Sequence, residues 1–148
     1  MRGNDSTAVD RKAGLSLAKW SLSEAIRQTA MSMSTLCRGD GVQFYSVVPP
    51  GKENGRVYPA WQFVADVRSY LPGLLGILRG NPAVQVNAFF MSEQDSLNEL
   101  SPAEVLAGAP FQDRRAVTPE QARMLSQPME MRFDKVCALA RMEVADVG

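Results

Sequence analysis

Histidine is absent from this 148-residue chain, and cysteine occurs only twice. Without histidine the chain lacks the commonest general base and the usual partner of a serine or cysteine nucleophile. Cys37 and Cys137 stand far apart with no C-x-x-C spacing, too few ligands for a structural zinc site, which takes about four. No catalytic residue, metal ligand or cofactor is therefore expected. Two isolated cysteines suit a reducing compartment and point to the cytoplasm. No apolar run approaches the ~18 residues of a membrane span. Residues 1–14 are polar and charged and do not read as a signal peptide, so no membrane partner is expected. The stretch Leu71-Pro72-Gly73-Leu74-Leu75-Gly76-Ile77-Leu78 lacks the Gly-Lys-Ser ending of a phosphate-binding loop, and its glycines read as sites of close helix packing. Glu93 and Asp95 in one polar loop, and the run Asp113-Arg114-Arg115, read as solvated charge rather than tuned chemistry.

What the chain does have is length for a core of its own and an uneven distribution of charge. At 16.2 kDa it suits one compact domain, or a domain with a short arm. Its formal net charge is zero, but residues 1–60 hold eight basic and five acidic side chains, and residues 61–148 hold eight and eleven. A basic first part and an acidic second part fit contact with nucleic acid at one end and with something else at the other.

Residues 1–14 offer little to bury and read as a mobile tail. Leu15, Ala18, Leu22, Ala25, Ile26 and Thr29 then follow helical spacing, interrupted by the capping-box pattern Ser21-Leu22-Ser23-Glu24, which favours a break and a second helix from Leu22 to Thr29. The next stretch, Ala30-Met31-Ser32-Met33-Ser34-Thr35-Leu36-Cys37-Arg38-Gly39, resembles the turn and recognition helix of helix-turn-helix proteins. In that arrangement Ser32 caps the helix, and Ser34, Thr35 and Arg38 face the major groove. The alternative is a single amphipathic helix from Leu15 to Cys37. Val42 to Val48 is β-branched and aromatic, the loop 49–55 follows, and Arg56-Val57-Tyr58 returns, so a β-hairpin is expected near residues 42–58. As a wing, it would bring Lys52 and Arg56 to phosphates.

After Phe63 the pattern is helical. Pro72 and Gly73 predict a short helix, a break and a second helix ending near Gly80. Ala83 to Met91 forms another helix, in which two adjacent phenylalanines, Phe89 and Phe90, cannot share one direction, so one of them is expected to face a neighbouring segment or a partner. Ser101-Pro102-Ala103-Glu104 and Thr118-Pro119-Glu120-Gln121 are two further helix starts, and helical spacing continues from Met129 to near the terminus. The fold class is thus mainly α, a small helical domain with one wing-like hairpin. It divides into the tail 1–14, a winged helix-turn-helix-like part 15–58 and a helical part 59–148. Tyr58, Trp61 and Phe63, three large aromatics in six residues, are expected to anchor the seam between hairpin and helices.

The ordered set Tyr58-Pro59-Ala60-Trp61-Gln62-Phe63, Leu71-Pro72-Gly73-Leu74, Phe89-Phe90 and Ser101-Pro102-Ala103-Glu104-Val105-Leu106-Ala107-Gly108 resembles the toxin-binding C-terminal region of antitoxins of the Xre/MbcA/ParS family. The resemblance covers residues 56 to 108. Before Ser101 this chain reads Leu97-Asn98-Glu99-Leu100, without the glycine and basic residue frequent there in the family. The resemblance implies a homodimer that masks a cognate toxin, typically a RES-type enzyme that destroys NAD, and binds the promoter of its own operon. The helical half would then be the toxin-binding and dimerising part, with Phe89, Phe90 and the charges Arg132 and Arg141 on its partner surface. A DNA-binding regulator without a toxin, or a protein-protein adaptor, are the alternatives.

Overall fold

Residues 15–21 carry apolar side chains at helical spacing and are nevertheless extended. The computed structural model describes residues 14–51 and 55–147, so the tail expected over 1–14 lies, except for Gly14, outside the described residues. Leu15 pairs in parallel with Phe111: its N–H donates to the Pro110 carbonyl at 2.7 Å, and its own carbonyl accepts from Gln112 N at 2.9 Å. Gly14 makes this approach possible, since its φ is +67° and a Cβ there would lie 2.6 Å from the Pro110 oxygen. Strand β1 (Lys19–Ser21) then pairs antiparallel with β2 (Val57–Pro59), Trp20 opposite Tyr58. The helical spacing from Leu15 is overridden because long-range partners satisfy this backbone, and Leu15 is buried without a helix.

The break at Ser21 is real. Helix α1 (Leu22–Thr29) is capped by the Ser21 hydroxyl, which accepts from Glu24 N at 3.2 Å. The reciprocal half of the expected capping box is not made, because the Glu24 carboxylate turns to Gln28 and Arg27 on its own helix. Ala30 adopts φ +61° and donates to the Ile26 carbonyl, ending α1 in the left-handed conformation. Helix α2 (Met33–Gly39) starts at once, with Ser32 as its cap. The single helix from Leu15 to Cys37 is thereby excluded.

The antiparallel pair of strands is present, but the main partner of β2 is β1 rather than the 42–48 stretch. The 42–48 stretch meets β2 at one bridge, Val47 with Val57, closed by hydrogen bonds of 2.9 and 2.8 Å. Further pairing of this stretch is supplied by a side chain. Gln62 accepts from Tyr45 N at 2.8 Å and donates to Tyr45 O at 2.8 Å and Pro59 O at 3.0 Å, taking the place of a neighbouring strand.

A 3₁₀ turn (Ala60–Phe63) leads into α3 (Ala65–Ile77). The break expected at Pro72 does not occur, and the helix stops before Gly80. An internal proline costs about 3 kcal/mol, but α3 buries Val67, Leu71, Leu74 and Leu75 at about 1.5–3 kcal/mol each, so the buried face prevails. Helix α4 (Ala83–Met91) follows, then a short 3₁₀ turn (Asp95–Leu97). Helix α5 (Pro102–Ala107) is the hub. It carries both halves of a capping box, Pro102 through Leu106 are all buried, and α3, α4, α6 (Pro119–Leu125) and α7 (Met129–Val147) surround it. The small domain is mainly α, with seven α-helices among the described residues, and no helix there is long and apolar enough to cross a membrane. One core runs from Leu15, Ala25 and Leu36 to Val136 and Ala140, across the boundary expected between residues 58 and 59.

Candidate nucleic-acid interface

Helix α2 is held to the body by very little of its surface. Leu36 and Gly39 are buried, while Ser32, Met33, Ser34, Thr35, Cys37 and Arg38 are exposed. Gly39 is fixed by contact rather than by torsion: a Cβ there would lie 2.7 Å from Cζ of Phe44, so the ring sits directly against the backbone. The Ser32 hydroxyl is engaged as the cap, accepting from Thr35 N at 3.1 Å and donating to Thr35 Oγ1 at 2.9 Å. Ser32 therefore positions the helix and leaves Ser34, Thr35 and Arg38 as the projecting polar groups. Arg38 Nε reaches only the Ser34 carbonyl, at 3.4 Å. Below these side chains lies a groove of about 690 Å³, walled by α2, by the turn at 39–44 and by the start of α3.

The two wing residues differ from this. Lys52 lies outside the described residues. Arg56 is engaged with Asp40, Nη1 to Oδ2 at 2.9 Å, on a carboxylate that also accepts from Ser46 Oγ at 2.8 Å. The Arg56 charge is thus neutralised locally.

The aromatic seam is built from more residues than its sequence signal. Tyr58 and Trp61 are buried and Phe63 is half-buried, stacked on Trp20 with centroids 5.7 Å apart. Trp61 donates from Nε1 to the Tyr45 hydroxyl at 3.2 Å, and that hydroxyl donates to Asn87 Oδ1 at 2.7 Å. Burial raises the Tyr45 pKa far above the ordinary phenol range. The Phe90 ring lies 5.1 Å from the indole and 5.7 Å from the Tyr45 ring. No motif or spacing in the sequence singles out Tyr45 or Asn87 for this network. A polar residue inside an aromatic run is the one signal that marks Gln62.

Three of the residues placed on a partner surface are interior. Phe89 is 4% exposed and Phe90 is fully buried. Both fit because the rings meet edge to face, 5.2 Å apart at 71°, so adjacent positions reach one core from two sides. Arg132 is also buried. It donates from Nη1 to the carbonyls of Val105 and Leu106 at 2.9 and 2.8 Å, and from Nε to Gln127 O at 2.8 Å, closing the C-terminal end of α5. Burial lowers its pKa, partly offset by the charge of Asp66. Arg141 alone of the four is exposed.

The charged turn at 113–115 is likewise not simply solvated. Arg114 holds the buried carboxylate of Glu104 and also reaches Glu93 Oε2 at 3.1 Å and the Glu99 carbonyl at 3.3 Å. Among the described residues no group of three histidine, cysteine or acidic side chains is placed to hold a metal ion, and both cysteines are free thiols, Cys37 exposed and Cys137 buried.

Fold and surface together define a small, mainly α protein with an exposed short helix over a groove of mixed polar and apolar lining. Compared with family models, with curated proteins and with solved structures, the chain matches none.

Proposed function

We propose that this chain is a non-catalytic, antitoxin-like protein that binds and neutralises a partner toxin of the RES type and contacts its own promoter DNA through α2. It acts as a homodimer in the cytoplasm. The observation that carries the reading is the presentation of α2: a helix anchored by Leu36, entered from a left-handed turn at Ala30 and capped by Ser32, with Ser34, Thr35 and Arg38 projecting. A short helix so mounted suits insertion into a major groove. The toxin half rests on the resemblance over residues 56–108. Within that stretch Tyr58, Trp61, Phe90 and Glu104 are interior, which leaves a toxin to meet outer residues of the helical half, such as Val84, 70% exposed, Met142, 62% exposed, and Arg141.

A regulator without a toxin is the second reading, favoured by the burial of Phe89, Phe90 and Arg132. Co-expression with the product of the adjacent gene decides between them. The first reading expects a complex that co-purifies and suppresses that product's toxicity, together with a salt-dependent mobility shift of the DNA upstream of the gene. A shift without a complex leaves the regulator, and a complex without a shift removes the DNA half.

A further inference from the structure

We propose that the groove between α2 and α3 seats the phosphodiester backbone of a nucleic acid, with Arg68 as a second cationic contact beside Arg38. The inference rests on the nucleic-acid reading of α2 but concerns a different element and a sequence-independent contact. Arg38 and Thr35 come from α2, Gln43 from the turn, and Arg68 and Ser69 from α3, and all five line the one groove. All five are exposed. No acidic side chain lines the groove, and among the described residues neither Arg38 nor Arg68 forms an ion pair. The wing arginine, Arg56, is by contrast committed to Asp40.

Two guanidinium groups flanked by two hydroxyls and a primary amide make a wall of hydrogen-bond donors around a concave floor. That is the chemistry of phosphate contacts, which fix the register of a protein on a duplex without reading its sequence. Gly39 keeps the floor in place, since the Phe44 ring packs against its Cα. Helix α3 approaches the groove through its exposed first turns, and its buried face is fixed by Val67 and Leu71, so Arg68 is presented from a rigid support.

The test uses the full chain and a duplex of arbitrary sequence, with binding followed by fluorescence anisotropy between 50 and 200 mM salt. Each phosphate contact contributes about 0.9 to the slope of log K against log salt. Arg38→Ala and Arg68→Ala are each expected to flatten the slope by about that amount. Arg68→Glu is expected to weaken binding further. Arg79→Ala, which removes one exposed charge away from the groove, is expected to keep the wild-type slope. Circular dichroism and melting of all variants should match wild type, because these side chains are exposed. An Arg68→Ala slope equal to wild type overturns the proposal, and so does wild-type protein that binds no duplex. Competition by polyglutamate as strong as by duplex also overturns it, in favour of an acidic protein partner. If the duplex binds with the expected slopes but the protein's own promoter is not preferred, the groove stands and only sequence reading through α2 fails.

Discussion

Arg114 grips Glu104 with two parallel hydrogen bonds, Nε to Oε2 and Nη2 to Oε1, both 2.8 Å. The carboxylate is 1% exposed and also accepts from the backbone amides of Phe111, at 2.7 Å, and Ser101, at 3.0 Å. One side chain thus caps α5 and ties it to the 111–114 segment, which in turn holds Leu15. Burial by itself raises the Glu104 pKa, but the hydrogen bonds from Arg114 and the two amides outweigh it and hold the carboxyl below its ordinary value of 4.5. The same pair raises the pKa of Arg114.

A depressed carboxylate pKa means that the folded state favours the ionised form. Its contribution to stability is full above about pH 4.5 and is lost as the pH falls through the lower folded value. Glu104→Gln should remove that component, giving a flatter dependence of urea midpoint on pH in the acid range. Arg114→Ala strands a buried carboxylate and should cost about 3–5 kcal/mol at neutral pH. Equilibrium unfolding at several pH values checks both, and parallel acid profiles for wild type and Glu104→Gln would remove Glu104 as the source.

Arg132→Ala should destabilise the fold by roughly 2–4 kcal/mol, since a charged donor to three carbonyls is lost and those acceptors are left buried. Arg132→Glu should do worse, placing a carboxylate against the negative end of α5. Arg141→Glu, on the exposed face of α7, should change stability by under about 0.5 kcal/mol. Thermal melts of the three variants provide the comparison.

Trp61→Ala should cost about 3–5 kcal/mol, because the indole is 1% exposed and fills the space between Tyr45 and Phe90. Gln62→Leu is the more specific probe. It retains apolar bulk but leaves Tyr45 N–H unpaired, at about 1–3 kcal/mol for each buried group. Hydrogen exchange at the Tyr45 amide should speed up in Gln62→Leu, and protection equal to wild type would show that Gln62 does not serve as the missing strand.

Gly39→Ala should destabilise by about 1–3 kcal/mol through overpacking, the added methyl meeting the Phe44 ring at 2.7 Å. Combining it with Phe44→Leu should recover part of that loss, a coupling that a double-mutant cycle measures. Purely additive effects would contradict the contact.

Helix starts were legible in the sequence because capping is local. Ser21, Ser32, Ser101 and Thr118 each cap the helix that follows, and Ala83–Met91 has the predicted bounds. The burial of Tyr58 and Trp61 was legible for a similar reason, since large aromatics gathered around a proline have few places to go but the core. The exposure of Ser34, Thr35 and Arg38 on α2 is what the resemblance to a recognition helix implies.

Only the tertiary structure decided the remainder, wherever a distant partner competes with a local preference. Residues 15–21 stay out of a helix, against helical spacing, because Pro110, Gln112 and β2 supply hydrogen-bond partners. Pro72 stays within α3 because the buried leucines outweigh its cost. Phe90 faces inward because Tyr45 and Trp61 supply its ring partners, with Phe89 edge-on against it, and Arg132 because α5 offers carbonyls, none of which a spacing rule locates. Arg114 finds Glu104 ten residues back because the chain folds over the α5 cap. Arg68 joins Arg38 at one groove because α3 passes beside α2, thirty residues apart in the chain. Sequence determines which side chains a segment can present, and packing determines what those side chains meet.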